Sequence, residues 1–277
     1  MVKIFISVRN RLAITKKCIE AIKRHSEIPN AQIYVYDNAT NYLIGEHFKY
    51  FADLYKRNQI SQVTFTTETS TFNAFSKAST CNFFGQQHEQ DPNKDNYHFL
   101  VMLDNDVIVT PGWDIKLKRA WKYVTKSKLN NVKVIGQLPG GIKNCDPTVH
   151  KIDGIEARIG TLGGSGLWSV RPNFFKDVGF LDLKRLVGQD KKHDQHYWQK
   201  MQAASGGKHY IMGLKVKLGY HVGALVGSVC NRLTRNKNDP NAKEKIKFEE
   251  QEKTIGGMTF DQFYEKITHN TKIVRGW

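Results

Sequence analysis

The strongest constraint on the fold is an alternation of strand-like and helix-like segments at the start of the chain. Residues 2–8, VKIFISV, form a nearly continuous apolar and β-branched run, which is typical of a strand buried on both faces. Residues 9–25 then carry apolar side chains at helical spacing, with Ile14, Cys18, Ala21 and Ile22 on one face, and residues 32–40, QIYVYDNAT, form a second strand-like run. Strand, helix and strand in this order predict a right-handed βαβ unit within a parallel sheet.

The alternation continues, and it predicts an α/β fold with a Rossmann-like mixed sheet flanked by helices. We expect this domain to cover residues 1–230, followed by a basic helical C-terminal extension at 231–277 that is rich in Lys, Glu and Asn. The further predicted helices lie at roughly 43–57 and at 71–87, 111–128 and 192–207, with a short helix and turn at 171–182. The further strands lie at 61–67, 98–103, 132–138 and 208–221, and another follows the glycine-rich loop within 161–170.

Polar residues stand at the ends of three predicted strands, in VRNR at 8–11, YDNA at 36–39 and LDND at 103–106. Ligands of open α/β sheets collect at the carboxyl ends of the strands. We therefore expect these three segments to converge on one edge of the sheet and to form a single site there.

LDND places two carboxylates, Asp104 and Asp106, one residue apart after an apolar run. In an extended segment, residues i and i+2 point to the same side, so the pair would form a hard-oxygen site for Mn²⁺ or Mg²⁺. The alternative is a structural turn, because Asp and Asn are common turn formers after strands.

The composition of the chain indicates which class of partner it could bind and in which cellular compartment it could reside. A net charge of +16 favours a polyanionic partner, although solubility alone also explains such a charge. The four cysteines form no CxxC pair, which argues against a zinc knuckle or a disulfide framework and favours free thiols. The sequence shows neither a signal peptide nor an apolar stretch of membrane-spanning length, so we expect a cytoplasmic protein, in the host cytoplasm if it is viral.

The order of motifs resembles that of GT-A glycosyltransferases of the family 2 kind, over roughly residues 2–225. The matching segments are SVRNR at 7–11, VYDNAT at 35–40, LDND at 103–106, GGSGLWSVRPNFFKDVGFLD at 163–182, HDQHYWQKM at 193–201 and GYHVG at 219–223. One departure is the pair His193 and Asp194, where the family usually has Glu-Asp.

The resemblance implies transfer of a hexose or pentose from a nucleotide sugar, preferably a UDP-sugar, to a hydroxyl acceptor, with Mn²⁺ or Mg²⁺ as cofactor. It implies that Asp104, Asp106 and His221 bind the metal and that Asp194, or else Asp190, is the catalytic base. The implied donor-binding residues are Val8, Arg9, Asn10, Arg11, Asp37, Asn38, Asp104, Asn105 and Gly164. The alternative for His221 is a core histidine.

The acceptor is predicted from charge. Basic clusters at 116–128, 184–193 and 232–247 favour a polyanion such as DNA that carries hydroxylated bases. A cell-surface glycan or wall polymer is the other acceptor class. Two further functions stay open, a catalytically inactive GT-A-like module that binds a polyanion and a nucleotidyltransferase; the absence of glycine from SVRNRLAIT disfavours the second. Trp168 is expected in the core rather than against a sugar ring.

Overall fold

The computed structural model describes residues 1–38, 40, 43–66, 73–137, 145–161, 166–183, 193–221 and 262. The strands are β1 (Val2–Val8), β2 (Gln32–Asn38), β3 (Gln62–Thr66), β4 (Phe99–Asp104), β5 (Val107–Val109), β6 (Val134–Gln137), β7 (His150–Ile152), β8 (Ile155–Gly160), β9 (Leu167–Val170), β10 (Ile211–Leu214) and β11 (Gly219–His221). The helices are α1 (Leu12–His25), α2 (Ile44–Lys56), α3 (Asn73–Glu89), α4 (Trp113–Lys126), α5 (Phe174–Val178) and α6 (His193–Ala204).

Nine of the described strands form one mixed sheet in the order β3-β2-β1-β4-β9-β6-β10-β8-β7. The strands β3, β2, β1 and β4 are parallel, whereas β9 runs antiparallel between β4 and β6. The carboxyl ends of β1, β2 and β4 therefore lie at one edge, as the sequence predicts. The predicted fold class, a Rossmann-like mixed sheet flanked by helices, is confirmed.

The core has two halves because alternate residues of a strand point to opposite faces of the sheet. Ile4 and Ile6 of β1 belong to a cluster that includes apolar residues of α1 and α4, whereas Phe5 belongs to a second cluster with residues of α3, α5 and α6. Trp168 is 4% exposed and lies in the core as predicted, and Trp113, Trp121 and Trp198 are also buried.

A second, two-stranded sheet pairs β5 with β11 and brings the end of β11 to the acidic turn. In this antiparallel pair His221 lies opposite Val107, the residue that follows Asp106. The side-chain Oε1 of Gln137, at the end of β6, accepts hydrogen bonds from the backbone N–H groups of Leu218 and Gly219 at 2.9 and 3.0 Å. The main sheet thus holds the start of β11 in place.

The β7–β8 hairpin was not predicted from the sequence. Its turn is Asp153–Gly154, with φ of 47° and 81°, and Asp-Gly between alternating residues is a strong hairpin signal that could have predicted it. The predicted C-terminal extension lies outside the described residues except for residue 262. Within the described part of the chain, no helix is both long and apolar enough to cross a membrane.

Candidate functional site

The three residues predicted to bind a metal lie together at the carboxyl edge of the sheet. Nε2 of His221 is 3.0 Å from Oδ1 of Asp106 and 3.9 Å from Oδ2 of Asp104. One potential ligand atom from each residue lies within 4.8 Å of the others. The His221 side chain is 42% exposed, so the alternative prediction of a core histidine is wrong.

The geometry that brings the two carboxylates together differs from the prediction. β4 ends at Asp104, and Asn105 and Asp106 form a turn into β5 rather than an extended segment. The assumption that the pair shares one side of a continuing strand was therefore wrong. The turn itself places both side chains beside His221, so the turn and the candidate metal site are the same feature.

Gly166, just before β9, makes room for the histidine. A Cβ at this position would lie 3.2 Å from Nδ1 of His221 and 3.2 Å from a methyl carbon of Val107. Its backbone oxygen accepts a hydrogen bond from the N–H of Asp104 at 2.9 Å. Gly166 therefore lies against the candidate metal ligand His221. Gly164 lies outside the described residues.

Arg11 lies at the same edge, and its contact was not predicted. Asn10 and Arg11 both adopt left-handed backbone conformations, with φ of 55° and 56°, in the turn from β1 to α1. Nη1 of Arg11 is 2.6 Å from Oδ2 of Asp106, and both side chains are 9% exposed. The resemblance implies that this turn binds the donor, which stays a prediction; in the structure the guanidinium contacts the acidic turn.

Asn105 ties the two turns together. Its side-chain Nδ2 donates hydrogen bonds to Oγ1 of Thr15 at 2.8 Å and to the backbone oxygen of Asn10 at 3.3 Å. Thr15 in turn donates to the backbone oxygen of Arg11 at 2.9 Å. Asn105 was predicted to bind the donor, and in the structure its amide holds the Asp106 turn against the start of α1.

Asp37, predicted to bind the nucleotide base, is 2% exposed and already contacts the protein through both oxygens. Oδ1 accepts from the backbone N–H of Thr40 at 3.1 Å, and Oδ2 is 3.1 Å from Nδ1 of His47 on α2. Thr40 also accepts from the N–H of Asn10 at 3.0 Å. Asp37 therefore supports the Asn10 turn, and its contact with a base stays a prediction.

The other predicted donor-binding residues also lie at this edge. Val8 pairs in register with Asp37, but its side chain is fully buried, so it could contact a donor only through its backbone. Arg9 is half-buried and Asn38 is 6% exposed. The positions of Val8, Arg9 and Asn38 are compatible with a donor site at this edge, and their contacts with a donor stay a prediction.

The two candidate bases differ in what can be described. Asp190 lies outside the described residues. Asp194 belongs to the first turn of α6, for which the backbone is described. Tyr197, one turn later, lines the same small cavity as Asp104 and Ser7. The first turn of α6 is thereby brought towards the acidic edge.

Cys18 of α1 lies directly beneath the acidic turn. Its thiol is fully buried and is 3.8 Å from the backbone oxygen of Asp104. Burial is the main cause that raises the pKa of this thiol far above its usual range, and the negative charge of the nearby Asp106 carboxylate adds to it. Cys18 is therefore neutral at physiological pH and does not compete as a thiolate for a cation.

The donor set fits a hard divalent cation. The two carboxylates suit Mn²⁺ or Mg²⁺, and the imidazole, a ligand of transition metals, favours Mn²⁺ of the two. Adjacent octahedral ligands at about 2.1 Å from such an ion lie about 3 Å apart. The separation of 3.0 Å between Asp106 and His221 matches that spacing, whereas the 3.9 Å between Asp104 and His221 is wider than adjacent ligands require. With three protein ligands, positions on the ion would be left for phosphate oxygens.

No protein-family model matches this chain, and no curated protein matches it by sequence. Solved structures similar to it include residues 1–349 of S. aureus TarS in complex with UDP-GlcNAc, at 12% identity and a TM-score of 0.49, covering 91% of this chain and 71% of that one. The mannosyltransferase PcManGT from Pyrobaculum calidifontis, in complex with GDP-Man and Mn²⁺, is 12% identical with a TM-score of 0.46, covering 91% and 69%. A longer S. aureus TarS structure is 10% identical with a TM-score of 0.47, covering 94% and 44%. At such scores the likeness assigns neither donor nor acceptor to this chain.

Proposed function

We propose that this protein is a metal-dependent glycosyltransferase of the GT-A type, which moves a sugar from a nucleotide-sugar donor to a hydroxyl acceptor. The observation that carries this proposal is the grouping of Asp104, Asp106 and His221 at the carboxyl edge of the parallel strands. Ligands of open α/β sheets bind at that edge. The order of the SVRNR, VYDNAT and LDND motifs supports the same conclusion.

Each part of the edge has a role in this proposal. Asp104, Asp106 and His221 would hold Mn²⁺ or Mg²⁺, which when bound neutralises the diphosphate of the donor and of the departing nucleotide. The turn at Asn10 and the neighbouring Asp37 would lie against the nucleoside. Asp194 would accept the proton of the acceptor hydroxyl as that oxygen attacks the anomeric carbon.

A thermal-shift measurement tests this proposal directly. We expect UDP, or else GDP or CDP, to raise the melting temperature with Mn²⁺ present and to have little effect without it, because the cation bridges the protein and the diphosphate. At about 100 times the Kd, a ligand adds about 2.7 kcal/mol to the free energy of unfolding.

The matched control is the corresponding nucleoside with Mn²⁺, which lacks the diphosphate and should cause a much smaller shift. The proposal is contradicted if none of the nucleotides gives a metal-dependent shift. Such a result together with tight DNA binding would favour the inactive polyanion-binding module.

For the acceptor we propose a polyanion, with DNA that carries hydroxylated bases as the first choice. Support comes from the net charge of +16 and from two basic surfaces. One is the lysine-rich α4. The other is a groove between α1 and α2, where Lys16, Lys23 and Arg24 outnumber the single acidic residue, Glu20. The basic stretches at 184–192 and 232–247 lie outside the described residues.

DNA binding should be steeply salt-dependent, because phosphate contacts release condensed counterions. For about four phosphate contacts, affinity should fall about 100-fold between about 50 and about 200 mM NaCl, as measured by fluorescence anisotropy. Dextran, a neutral glycan, serves as the control and should show no such dependence. A flat salt response, or equal binding to dextran, would count against DNA and in favour of a glycan acceptor.

A further inference from the structure

The carboxylate of Asp106 contacts a different nitrogen group with each of its oxygens. Oδ2 is 2.6 Å from Nη1 of Arg11, and Oδ1 is 3.0 Å from Nε2 of His221. These contacts make the two oxygens unequal. One belongs to an ion pair with a guanidinium, and the other faces the imidazole of the candidate metal site.

Hydrogen bonds through Thr15 link the turn that carries Arg11 to the turn that carries Asp106. The backbone oxygen of Arg11 accepts hydrogen bonds from the N–H and the Oγ1 of Thr15, each at 2.9 Å. Oγ1 of Thr15 accepts from Asn105, the residue before Asp106, at 2.8 Å. Arg11 and Asp106 therefore stand on two turns that are hydrogen-bonded to each other.

We propose that Arg11 is a metal-selecting residue, which reserves Oδ2 of Asp106 so that this carboxylate offers a cation only Oδ1. The inference rests on the proposed function, because it assumes a cation at Asp104, Asp106 and His221. It goes beyond the proposed function because it assigns ion selectivity to Arg11, which is not itself a metal ligand.

The expected consequence is discrimination against Ca²⁺. Ca²⁺ takes six to eight oxygen ligands and readily binds a carboxylate through both oxygens, whereas Mg²⁺ and Mn²⁺ accept octahedral sites with single-oxygen carboxylates. A guanidinium on Oδ2 removes the two-oxygen mode from Asp106. Its positive charge also weakens binding of any cation when no diphosphate is present.

The test measures metal binding without donor, by electron paramagnetic resonance of free Mn²⁺ and by competition with Ca²⁺. In Arg11→Met, which removes the charge and the donors but keeps an unbranched side chain, Ca²⁺ affinity should rise about tenfold relative to that of Mn²⁺. Mn²⁺ affinity should stay the same or rise. Arg11→Lys, which keeps the charge, should lie between Arg11→Met and the wild type.

Arg57→Met is the matched control, because it removes an exposed Arg–Asp ion pair at the end of α2, where Nε of Arg57 is 3.1 Å from Asp53. It should leave both affinities unchanged. A parallel loss of affinity for both ions in Arg11→Met and Arg11→Lys would show a purely structural role and overturn the proposal, as would no change in either variant. If the wild type binds Mn²⁺ but the ratio of Ca²⁺ affinity to Mn²⁺ affinity is the same in Arg11→Met, the role of Arg11 is contradicted and the metal site is not. A wild type that binds no Mn²⁺ contradicts the metal site and this inference with it.

Discussion

Replacing Asp194 with asparagine should lower sugar transfer by about 10²–10⁴-fold, the usual size of a general-base effect. Asparagine keeps the shape of the side chain but cannot accept the proton of the acceptor hydroxyl. Asp194 lies in the first turn of α6, and Tyr197 of the next turn lines a cavity together with Asp104. The measurement is product formation under saturating donor, once an acceptor has been identified.

Donor binding separates a chemical role of Asp194 from a structural one. In Asp194→Asn the metal-dependent thermal shift with nucleotide should equal that of the wild type, because the base contacts the acceptor and not the diphosphate. Asp190→Asn is the comparison variant and should retain most of its activity. If Asp190→Asn loses transfer and Asp194→Asn does not, the assignment of the base is wrong.

Replacing Asp106 with asparagine should weaken Mn²⁺ binding by more than about 100-fold, since removal of an outer partner of a metal ligand already costs 10–100-fold. Asp106 is the most buried of the three candidate ligands and carries the 3.0 Å contact to His221. The substitution replaces an anionic ligand with a neutral amide oxygen and removes half of the negative charge of the acidic pair. Titration with Mn²⁺, followed by electron paramagnetic resonance, measures the change.

The variant also removes the charged partner of Arg11, and breaking a buried ion pair can cost about 3–5 kcal/mol of stability. The melting temperature without metal therefore has to be measured beside the affinity. Asp104→Asn provides a second test, because the Asp104 side chain is 22% exposed and its replacement should affect folding less. Mn²⁺ binding that survives in both variants would place the cation elsewhere.

Local patterns in the sequence were sufficient for the first half of the fold. The apolar runs at β1, β2 and β4 are long enough to identify buried strands, and the polar residues after them predicted a common edge. The β7–β8 hairpin was missed although its Asp-Gly turn is a local signal. For the acidic segment the sequence left an extended pair and a turn both open, because Asp and Asn are compatible with a strand end and with a turn, and the structure has the turn.

Contacts between distant segments could not be read from such patterns. Lys3 lies in the middle of an apolar run and is 1% exposed, with its Nζ paired to Asp91 at 2.5 Å. The contact between Arg11 and Asp106 joins residues 95 positions apart. No periodicity in either segment specifies its partner, because the pairing depends on how strands and turns pack against one another.

The sequence by itself determined which segments form the central strands and which chemical groups stand at their ends. The reason is that the pattern of apolar and polar residues within each segment is enough to indicate a buried strand. Tertiary structure alone decided how those groups meet: β11 pairs with β5 and brings His221 to Asp106, and the turn of β1 into α1 brings Arg11 to the other oxygen. The physical reason is that a hydrogen-bonded strand pair or an ion pair is a property of two segments at once. Its free energy therefore appears only when the chain has brought both segments together.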